Sequence, residues 1–436
     1  MKEQKTKLSE ELTDFIDRSP SAYHAVYNIC GILESHGFER LCETDEWKLV
    51  SGRGYYITKN GSSVIAFRVP GEDITGFNIT ASHSDAPTFK LKENCEKTGG
   101  EYVRINTEKY GGMICASWLD RPLGYAGRVV ISTDDGIETR LVASERDMFI
   151  IPNVAIHMKR DINDAMKFNP AVDTVPLYST AAMHKPFLEE VAECAGVSTG
   201  DIISHDLYLY NRQKGSIWGN GGEFISARSL DDLACAFSSL TGFLGAGASS
   251  AVPVFSCFDN EEVGSSTKQG AASVFLCDTL ERIAEACGKK LSALIPSSFM
   301  LSCDNAHAIH PNYPELSDRE NSVKLNGGVV IKYNAQQKYT TDAVSSSVVK
   351  LICKKCGVPY QQYANRSDIA GGSTLGGIAS TKVPVSSADI GIAQLAMHSA
   401  YETAGAYDTE HMARLCREFF GTAVICERDG KYRLQQ

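Results

Sequence analysis

Two adjacent carboxylates, Glu261 and Glu262, directly follow the apolar, strand-like residues 254–258. Consecutive side chains on an extended backbone point in different directions. One carboxylate can therefore hold a metal ion while the other faces a water molecule beside that metal. A hydrolase that activates water with a metal needs this division of work. The pair alone is weak evidence for a metal site, because adjacent glutamates are common on exposed helix surfaces.

Four further segments have the same layout, in which an apolar run meets a His or an Asp. His83 and Asp85 are two residues apart and would share one face of a strand, so Asp85 could accept the second ring N–H of His83. Asp231 precedes a predicted helix, Asp304 ends an apolar run, and His398 lies in an apolar helical or turn segment. Taken singly, these residues can be explained by structural roles alone, as part of a surface turn, as a helix N-cap or as a core histidine. Together they supply two metal sites with mixed nitrogen and oxygen ligands, which suit zinc, with manganese or cobalt as alternatives.

The elements that would position these residues alternate along the chain. Apolar runs predict strands at 252–258, 299–303, 329–333 and 383–388, and helical periodicity predicts helices at 8–18, 231–240, 271–286 and 343–356. Such alternation indicates an α/β fold, a mixed sheet with covering helices. Active sites in open α/β sheets lie beyond the carboxyl ends of the strands, where the acidic residues fall.

A block of short alternating runs interrupts this pattern between about residues 93 and 223. We predict that it is a β-rich domain inserted into the first one. Residues 1–92 and 224–436 would then form the two parts of the catalytic domain.

Composition narrows the class of protein. The 436 residues are 43% hydrophobic and carry a net charge of -10, which argues against nucleic-acid and anionic-membrane partners. The charged N-terminus shows no signal peptide, and no window approaches the ~20 apolar residues needed to cross a bilayer. The cysteines indicate the compartment. The 14 cysteines are dispersed, which favours reduced thiols in a cytoplasmic protein. Cys353 and Cys356 are interpreted as two positions on one helix.

The sequence contains no nucleotide-binding loop and no serine-nucleophile motif, so no other catalytic motif offers an alternative to a metal site.

Six blocks, in order and over nearly the whole chain, resemble the aspartyl aminopeptidase family of dinuclear zinc exopeptidases. Their combination is far more specific than any single block. They are Ser19-Pro20-Ser21-x-x-His24, Ser82-His83-Ser84-Asp85, Leu230-Asp231-Asp232, Asp259-Asn260-Glu261-Glu262-Val263-Gly264-Ser265, Asp304-x-x-His307-Ala308-x-His310-Pro311-Asn312, and Met397-His398-Ser399.

The resemblance implies a zinc-exopeptidase-like fold with two zinc ions. The ligand sets that it implies are His83, Asp231 and Asp304 for one ion, and Asp231, Glu262 and His398 for the other. Asp231 would bridge the two ions and precede a cis peptide bond to Asp232. Glu261 would be the general base that takes a proton from water, and Asp85 would hold His83. The inserted block would be a dimerisation domain, with dimers assembled into a dodecamer.

The resemblance also implies three substrate contacts. His157 would reach the neighbouring subunit's active site, although the family often has a second histidine where this chain has Asn153. Lys332 would meet an acidic side chain at the N-terminus of a peptide substrate, against the alternative of a lysine at an exposed strand edge. His307 would also contact the substrate. A neutral, Leu-like preference and an N-acyl amino acid deacylase stay open, whereas a non-catalytic scaffold is disfavoured because Glu261 is present with all the ligands.

Overall fold

The computed structural model describes residues 2–71, 73–164 and 166–435, with side chains from residue 7 onward. None of the helices in those ranges is both long and apolar enough to cross a bilayer. The helices are α1 (Lys2–Asp17), α2 (Ala22–Ser35), α3 (Phe187–Ala195), α4 (Leu230–Leu244), α5 (Phe275–Ala286), α6 (Leu291–Leu294), α7 (Ala343–Cys356), α8 (Leu375–Ala379) and α9 (Asp408–Phe420).

The strands belong to four sheets. In chain order they are β1 (Glu39–Arg40), β2 (Gly54–Lys59), β3 (Ser63–Arg68), β4 (Gly76–His83), β5 (Thr88–Lys97), β6 (Tyr102–Tyr110), β7 (Leu123–Thr133), β8 (Gly136–Ala143), β9 (Leu177–Thr180), β10 (Ile202–Asn211), β11 (Ser216–Trp218), β12 (Phe224–Ala227), β13 (Ala251–Phe258), β14 (Phe299–Cys303), β15 (Ala306–His307), β16 (Val329–Tyr333), β17 (Tyr360–Ala364), β18 (Ser386–Gly391), β19 (Ala393–Leu395), β20 (Glu402–Gly405), β21 (Ala423–Arg428) and β22 (Lys431–Gln435).

A nine-stranded mixed sheet forms the centre of the molecule, in the order β1-β2-β3-β13-β4-β14-β18-β16-β17. Strands β13, β4, β14 and β18 run parallel to one another, while β3 and β16 run antiparallel to their neighbours in that group. Every residue of β4 and β13 is buried. Helices α1, α2, α4, α7 and α9 cover one face, and α5, α6 and α8 cover the other. The α/β fold with covering helices is therefore confirmed.

The parallel strands bring their carboxyl ends to one edge of this sheet. His83, the last residue of β4, pairs with Phe258, the last residue of β13. Glu261 begins a short 3-10 turn just beyond β13, and Asp304 directly follows β14 on the other side of β4. Residues far apart in the chain thus meet where three neighbouring strands end.

A separate antiparallel sheet, in the order β8-β7-β10-β5-β6-β9, has its own apolar core together with α3. All of its strands fall between residues 88 and 211, so the sheet begins about five residues before the stretch, 93–223, that was expected to interrupt the α/β pattern.

The segment 392–403 is not helical, and of the two structures predicted around His398, a helix or a turn, the turn is observed. It contains β19, which pairs with β15 and β20 in a five-stranded sheet, and a turn that carries His398. The run is short and apolar, so its periodicity cannot separate a strand from a helix. Pairing with distant strands decides the outcome.

Candidate active site

Two clusters of metal-ligating side chains share one carboxylate. In each cluster the ligand atoms all lie within 4.8 Å of one another. One cluster contains His83, Asp231, Asp232 and Asp304, and the other contains Asp231, Glu262 and His398. A third group, His83, Glu261 and Glu262, overlaps both clusters. Thus the structure brings together all five residues that were predicted as ligands, with Asp232 in addition.

Asp231 faces both clusters at once. Its Oδ1 lies 3.6 Å from Nε2 of His83, and its Oδ2 lies 3.4 Å from Nε2 of His398. The peptide bond between Asp231 and Asp232 is cis, as expected. Both residues have non-helical backbone angles at the start of α4, where Asp232 Oδ2 accepts a hydrogen bond from the His83 N–H at 3.1 Å. Each carboxylate oxygen of Asp231 thus faces a different histidine.

The two histidines turn their Nε2 atoms toward the clusters because main-chain oxygens hold their Nδ1 atoms. His83 Nδ1 is 3.0 Å from the carbonyl oxygen of Asp85, and His398 Nδ1 is 2.7 Å from the carbonyl oxygen of Gly112. The preceding Gly111 has a φ of +74°, and a Cβ there would lie only 3.1 Å from Cβ of Glu262. A glycine turn at the end of β6 can therefore approach the site closely and fix the His398 ring.

Because the clusters are buried, their ionised carboxylates are unfavourable unless a cation balances their charge. Burial, reinforced by the neighbouring Asp231, raises the pKa of Glu262 well above its ordinary value, and burial raises the pKa of Asp304 to about 6. His398 shows the opposite balance: burial lowers its pKa, but hydrogen bonding to Asp231 and the negative charges of Glu262 and Asp231 together outweigh burial and raise its pKa to about 10. Asp231 Oδ1 and Glu262 Oε1 are buried without a hydrogen-bond partner among the described residues. Two histidines and several carboxylates with unpartnered oxygens are a donor set that fits zinc.

The Asp85 carboxylate lies beside His83, as predicted, and it also holds a main-chain turn. Its oxygens accept hydrogen bonds from the main-chain N–H groups of Glu261 at 3.1 Å and Glu262 at 3.2 Å. The Tyr110 hydroxyl donates to Asp85 Oδ2 at 2.6 Å. The nearest carboxylate oxygen of Asp85 is 3.4 Å from His83 Nδ1, farther than its own carbonyl oxygen. Asp85 therefore holds the Glu261–Glu262 turn at least as directly as it holds His83.

Glu402 was missed by the sequence reasoning. It is buried, and its carboxylate accepts the main-chain N–H of Asp231 at 3.0 Å and that of His398 at 2.7 Å. Burial and the nearby Asp231 charge raise the pKa of Glu402 to about 8. Its position four residues after His398 was the one available signal, but that spacing does not identify a residue behind a metal site.

Glu261 lines a cavity of about 230 Å³ beside the clusters. Burial, with repulsion from Asp304 and Asp85, raises the pKa of Glu261 to about 7. A carboxylate with such a pKa is suited to proton transfer near neutral pH. The same cavity is lined by His83, Asp231, Asp304, His307, Lys332, Tyr339, Met397 and His398.

The three predicted substrate contacts fall in different places. Lys332 is 2% exposed on β16, an inner strand, so the reading as an exposed edge lysine is wrong. Its Nζ donates to the carbonyl oxygens of Asp304 at 2.8 Å and Asn305 at 3.2 Å. His307 opens onto the cavity. His157 lies in an exposed turn and is not among the residues that line this cavity.

The chain matches the family described as Aminopeptidase I zinc metalloprotease (M18) over residues 15–420. A Probable M18 family aminopeptidase 2 of Clostridium novyi (strain NT) is 44% identical over 428 residues, covering 95% of this chain and 99% of that one. A protein of the same description from Pseudomonas paraeruginosa is 34% identical and covers 97% and 100%.

Solved structures agree with this assignment. A chain in the cryo-EM structure of the Ape4 and Nbr1 complex has a TM-score of 0.93 and 33% identity, covering 97% of this chain and 86% of that one. The S. cerevesiae mApe1 dodecamer has a TM-score of 0.85 and 28% identity, covering 95% and 96%. With zinc-type ligands gathered at the strand ends of the same fold, the chain belongs to the M18 family and is a zinc aminopeptidase.

Proposed function

We propose that the enzyme holds two zinc ions, one on His83, Asp231 and Asp304 and the other on Asp231, Glu262 and His398, with manganese or cobalt able to replace them. The observation that carries this proposal is that the two oxygens of Asp231 face the histidines of two different clusters. When bound, the zinc pair would polarise the scissile carbonyl and lower the pKa of water.

Glu261 is the proposed general base. It takes a proton from the attacking water and delivers it to the amine that leaves. Its place on the cavity wall and its raised pKa of about 7 support this role. Asp85 is a positioning residue, because its carboxylate holds the main-chain N–H groups of the turn that carries Glu261.

The proposed substrates are peptides with an acidic first residue, Asp or Glu. Lys332 supplies a buried positive charge in the cavity wall, and Asp304 and Tyr339 keep its pKa raised despite burial. His307 lines the same cavity and is the proposed second contact.

One observation favours the alternative of a neutral, Leu-like preference. Two donors of Lys332 already serve main-chain oxygens, and Nζ lies 3.7 Å from Asp304 Oδ1. The ammonium group would then balance the charge of Asp304 rather than bind an acidic side chain. A panel of Asp-, Glu- and Leu-anilides distinguishes the two preferences.

The same panel, with N-acyl amino acids added to it, tests whether the enzyme is instead a related deacylase. N-acyl amino acids lack the free α-amine that an aminopeptidase requires. Activity on acylated substrates, with none on any free-amine substrate, would reject the aminopeptidase mechanism. Metal analysis of the active protein in the same series tests the count of two zinc ions.

We also propose a homo-oligomer in which residues 93–223 form the dimerisation domain of dimers that assemble into a dodecamer. The dodecamer described for the S. cerevesiae relative supports this proposal, as does the exposed turn of His157, which would reach a neighbouring subunit's site. A solution mass measurement tests it.

A cytoplasmic location is proposed as well. All 14 cysteines are free, including Cys353 and Cys356 on α7, as suits a reducing compartment. Fractionation of the producing cells tests it.

A further inference from the structure

Two loops complete the cavity at the metal ligands. Tyr339 comes from the loop after β16, and residues 372–374 come from the loop before α8. We call these four residues the loop wall. Lys332 lines the same cavity, and its Nζ lies 5.0 Å from the centre of the Tyr339 ring. The shape of the cavity therefore depends on two loops as well as on the metal ligands.

Asp389 connects both loops to the central sheet. It lies on β18, an inner strand, and is 0% exposed. Its Oδ2 accepts hydrogen bonds from the main-chain N–H of Thr340 and, at 2.8 Å, from the hydroxyl of the same residue. Its Oδ1 accepts a hydrogen bond from the hydroxyl of Thr374, and its own main-chain N–H donates to the Thr341 hydroxyl at 2.8 Å. One residue of the sheet thus holds the backbone next to Tyr339 and the last residue of the other loop.

The hydrogen bonds to the Asp389 carboxylate come from neutral groups. The buried Lys332 ammonium lies 3.7 Å from Asp304 and forms no ion pair with Asp389. Asp389 also belongs to none of the metal-ligand groups found among the described residues. A buried carboxylate is unfavourable unless it is paired or hydrogen-bonded, and hydrogen bonds to a charged acceptor are stronger than those between neutral groups. The contacts of Asp389 therefore fit a residue that fastens loops to the sheet.

Thr374 makes this connection in place of an ordinary one. It is the N-cap residue of α8, and a threonine at that position usually turns its hydroxyl to the free N–H groups of the helix. Here the Thr374 hydroxyl makes no such bond to α8 and donates to Asp389 instead. Gly376 allows the close approach of α8 to the sheet, because a Cβ there would lie 2.6 Å from Cβ of Ser302 on β14. The loop is thus held by the sheet and not by its own helix.

We propose that Asp389 is a positioning residue for substrate binding. It fixes the loop wall, so that Tyr339 and the neighbouring Lys332 are already oriented when the first residue of a peptide enters the cavity. A loosened loop wall should weaken binding of that residue without changing the groups at the metal ligands, so KM should rise while kcat changes little. This inference rests on the proposed aminopeptidase mechanism and adds a residue that acts on binding from outside the cavity.

Two variants of Asp389 test whether its hydrogen bonds carry this role. Asp389→Leu removes both acceptor oxygens, and KM for the preferred first residue should rise about tenfold with kcat within about twofold. In Asp389→Asn the remaining oxygen can accept the Thr340 N–H, and the NH₂ group can donate to the Thr374 hydroxyl, which is also an acceptor. The conservative variant should therefore keep KM within about threefold of wild type.

Thr374→Val tests the connection without changing the sheet. It keeps the shape of the side chain but removes the hydroxyl that donates to Asp389, so KM should rise about three- to tenfold. Thr381→Val is the matched control, because this exposed threonine lies in the turn after α8 and does not line the cavity. It should leave KM unchanged. Circular dichroism and zinc content are compared for all four variants.

A pair of inhibitors separates positioning from damage to the metal site. Acetohydroxamate can bind a metal but has no side chain that reaches the loop wall, whereas the hydroxamate of the preferred first amino acid has one. Isothermal titration calorimetry on the zinc-loaded protein measures the Kd of each without turnover. Asp389→Leu should raise the Kd of the amino acid hydroxamate about tenfold and leave that of acetohydroxamate unchanged. Thr374→Val should act in the same direction.

The proposal is overturned if the two hydroxamates weaken equally in these variants, or if KM stays at its wild-type value. It is also overturned if Asp389→Asn is impaired as much as Asp389→Leu. Should Asp389→Leu fail to fold, Thr374→Val makes the same prediction, and an unchanged Kd for the amino acid hydroxamate in that variant overturns the proposal. A wild type that cleaves no free-amine substrate would refute the proposed function, whereas the hydroxamate comparison would still decide the role of Asp389.

Discussion

Asp85 Oδ1 accepts a hydrogen bond from the main-chain N–H of Glu261 at 3.1 Å, and its second oxygen accepts the N–H of the next residue at 3.2 Å. The carboxylate thereby fixes the turn that separates the proposed base from the proposed ligand. Asp85→Asn replaces one acceptor oxygen by an NH₂ group that faces an N–H. We expect kcat to fall about 100-fold, because small misplacements of a catalytic group are costly.

The matched control for this variant is Tyr110→Phe. It removes the hydroxyl that donates to Asp85 but leaves both acceptor oxygens, so a smaller loss is expected. Full activity of Asp85→Asn with normal zinc content would refute the positioning role.

Glu402→Gln should weaken zinc binding. Glu402 accepts the main-chain N–H groups of both Asp231 and His398, and Gln can serve only one of them as an acceptor. Changes behind the ligands of a metal site typically cost about 10–100-fold in affinity, and we expect a loss in that range. Competition with a chromogenic chelator measures it, and unchanged affinity would contradict the role assigned to Glu402.

Lys332→Gln tests the basis of specificity. If the ammonium meets an acidic side chain, kcat/KM for Glu-anilide should fall at least about tenfold relative to Leu-anilide, since each tenfold step corresponds to ~1.4 kcal/mol. An equal fall for both substrates would instead indicate that Lys332 serves Asp304. Lys338→Gln is the control, because this lysine holds the loop carbonyl oxygens of Ala370 and Gly371 and does not line the cavity at the metal ligands.

The zinc-free protein should become less stable as the pH rises from 5 to 8. Burial raises the pKa of Asp304 to about 6 and that of Glu402 to about 8. A carboxyl with a raised folded-state pKa keeps its proton longer in the folded chain than in the unfolded chain, so its contribution to stability falls as pH rises. His398, with a pKa raised to about 10, contributes fully below its unfolded value near 6.5 and progressively less above it, so the signs agree.

Zinc should reverse this trend, because its ligands bind in their deprotonated forms. The measurement is Tm by scanning calorimetry at pH 5, 6, 7 and 8, with chelator and with zinc. We expect the gap between the two Tm values to widen with pH. A zinc-free Tm that rises over this range would contradict the account.

Much of the site was predictable because parallel strands share one edge. His83, Asp304 and the Glu261–Glu262 pair each follow an apolar run, and pairing of β4 with β13 and β14 makes those runs neighbours. The residues that hold the proposed ligands in place were not predictable from the sequence. Gly112 comes from the loop after β6, and Glu402 acts only because β20 folds back beside α4.

The proposed contact of His157 with another subunit is a different case, since the structure of a single chain shows only that His157 lies in an exposed turn. The position of Lys332 in the sheet could not be predicted from the sequence either.

The residues Ile331, Lys332 and Tyr333 suit an edge strand as well as an inner strand. The sheet order and the main-chain oxygens that accept from its Nζ decide the matter.

The most direct test of the central claim is Glu261→Gln, with zinc content and kcat measured on the same sample. Glu285→Gln, on the exposed side of α5, is the matched control and should behave as wild type. The account predicts that Glu261→Gln retains two zinc ions per chain and loses activity by about 10²–10⁴-fold, the usual contribution of a general base. A variant that holds two zinc ions and cleaves as fast as wild type would contradict it.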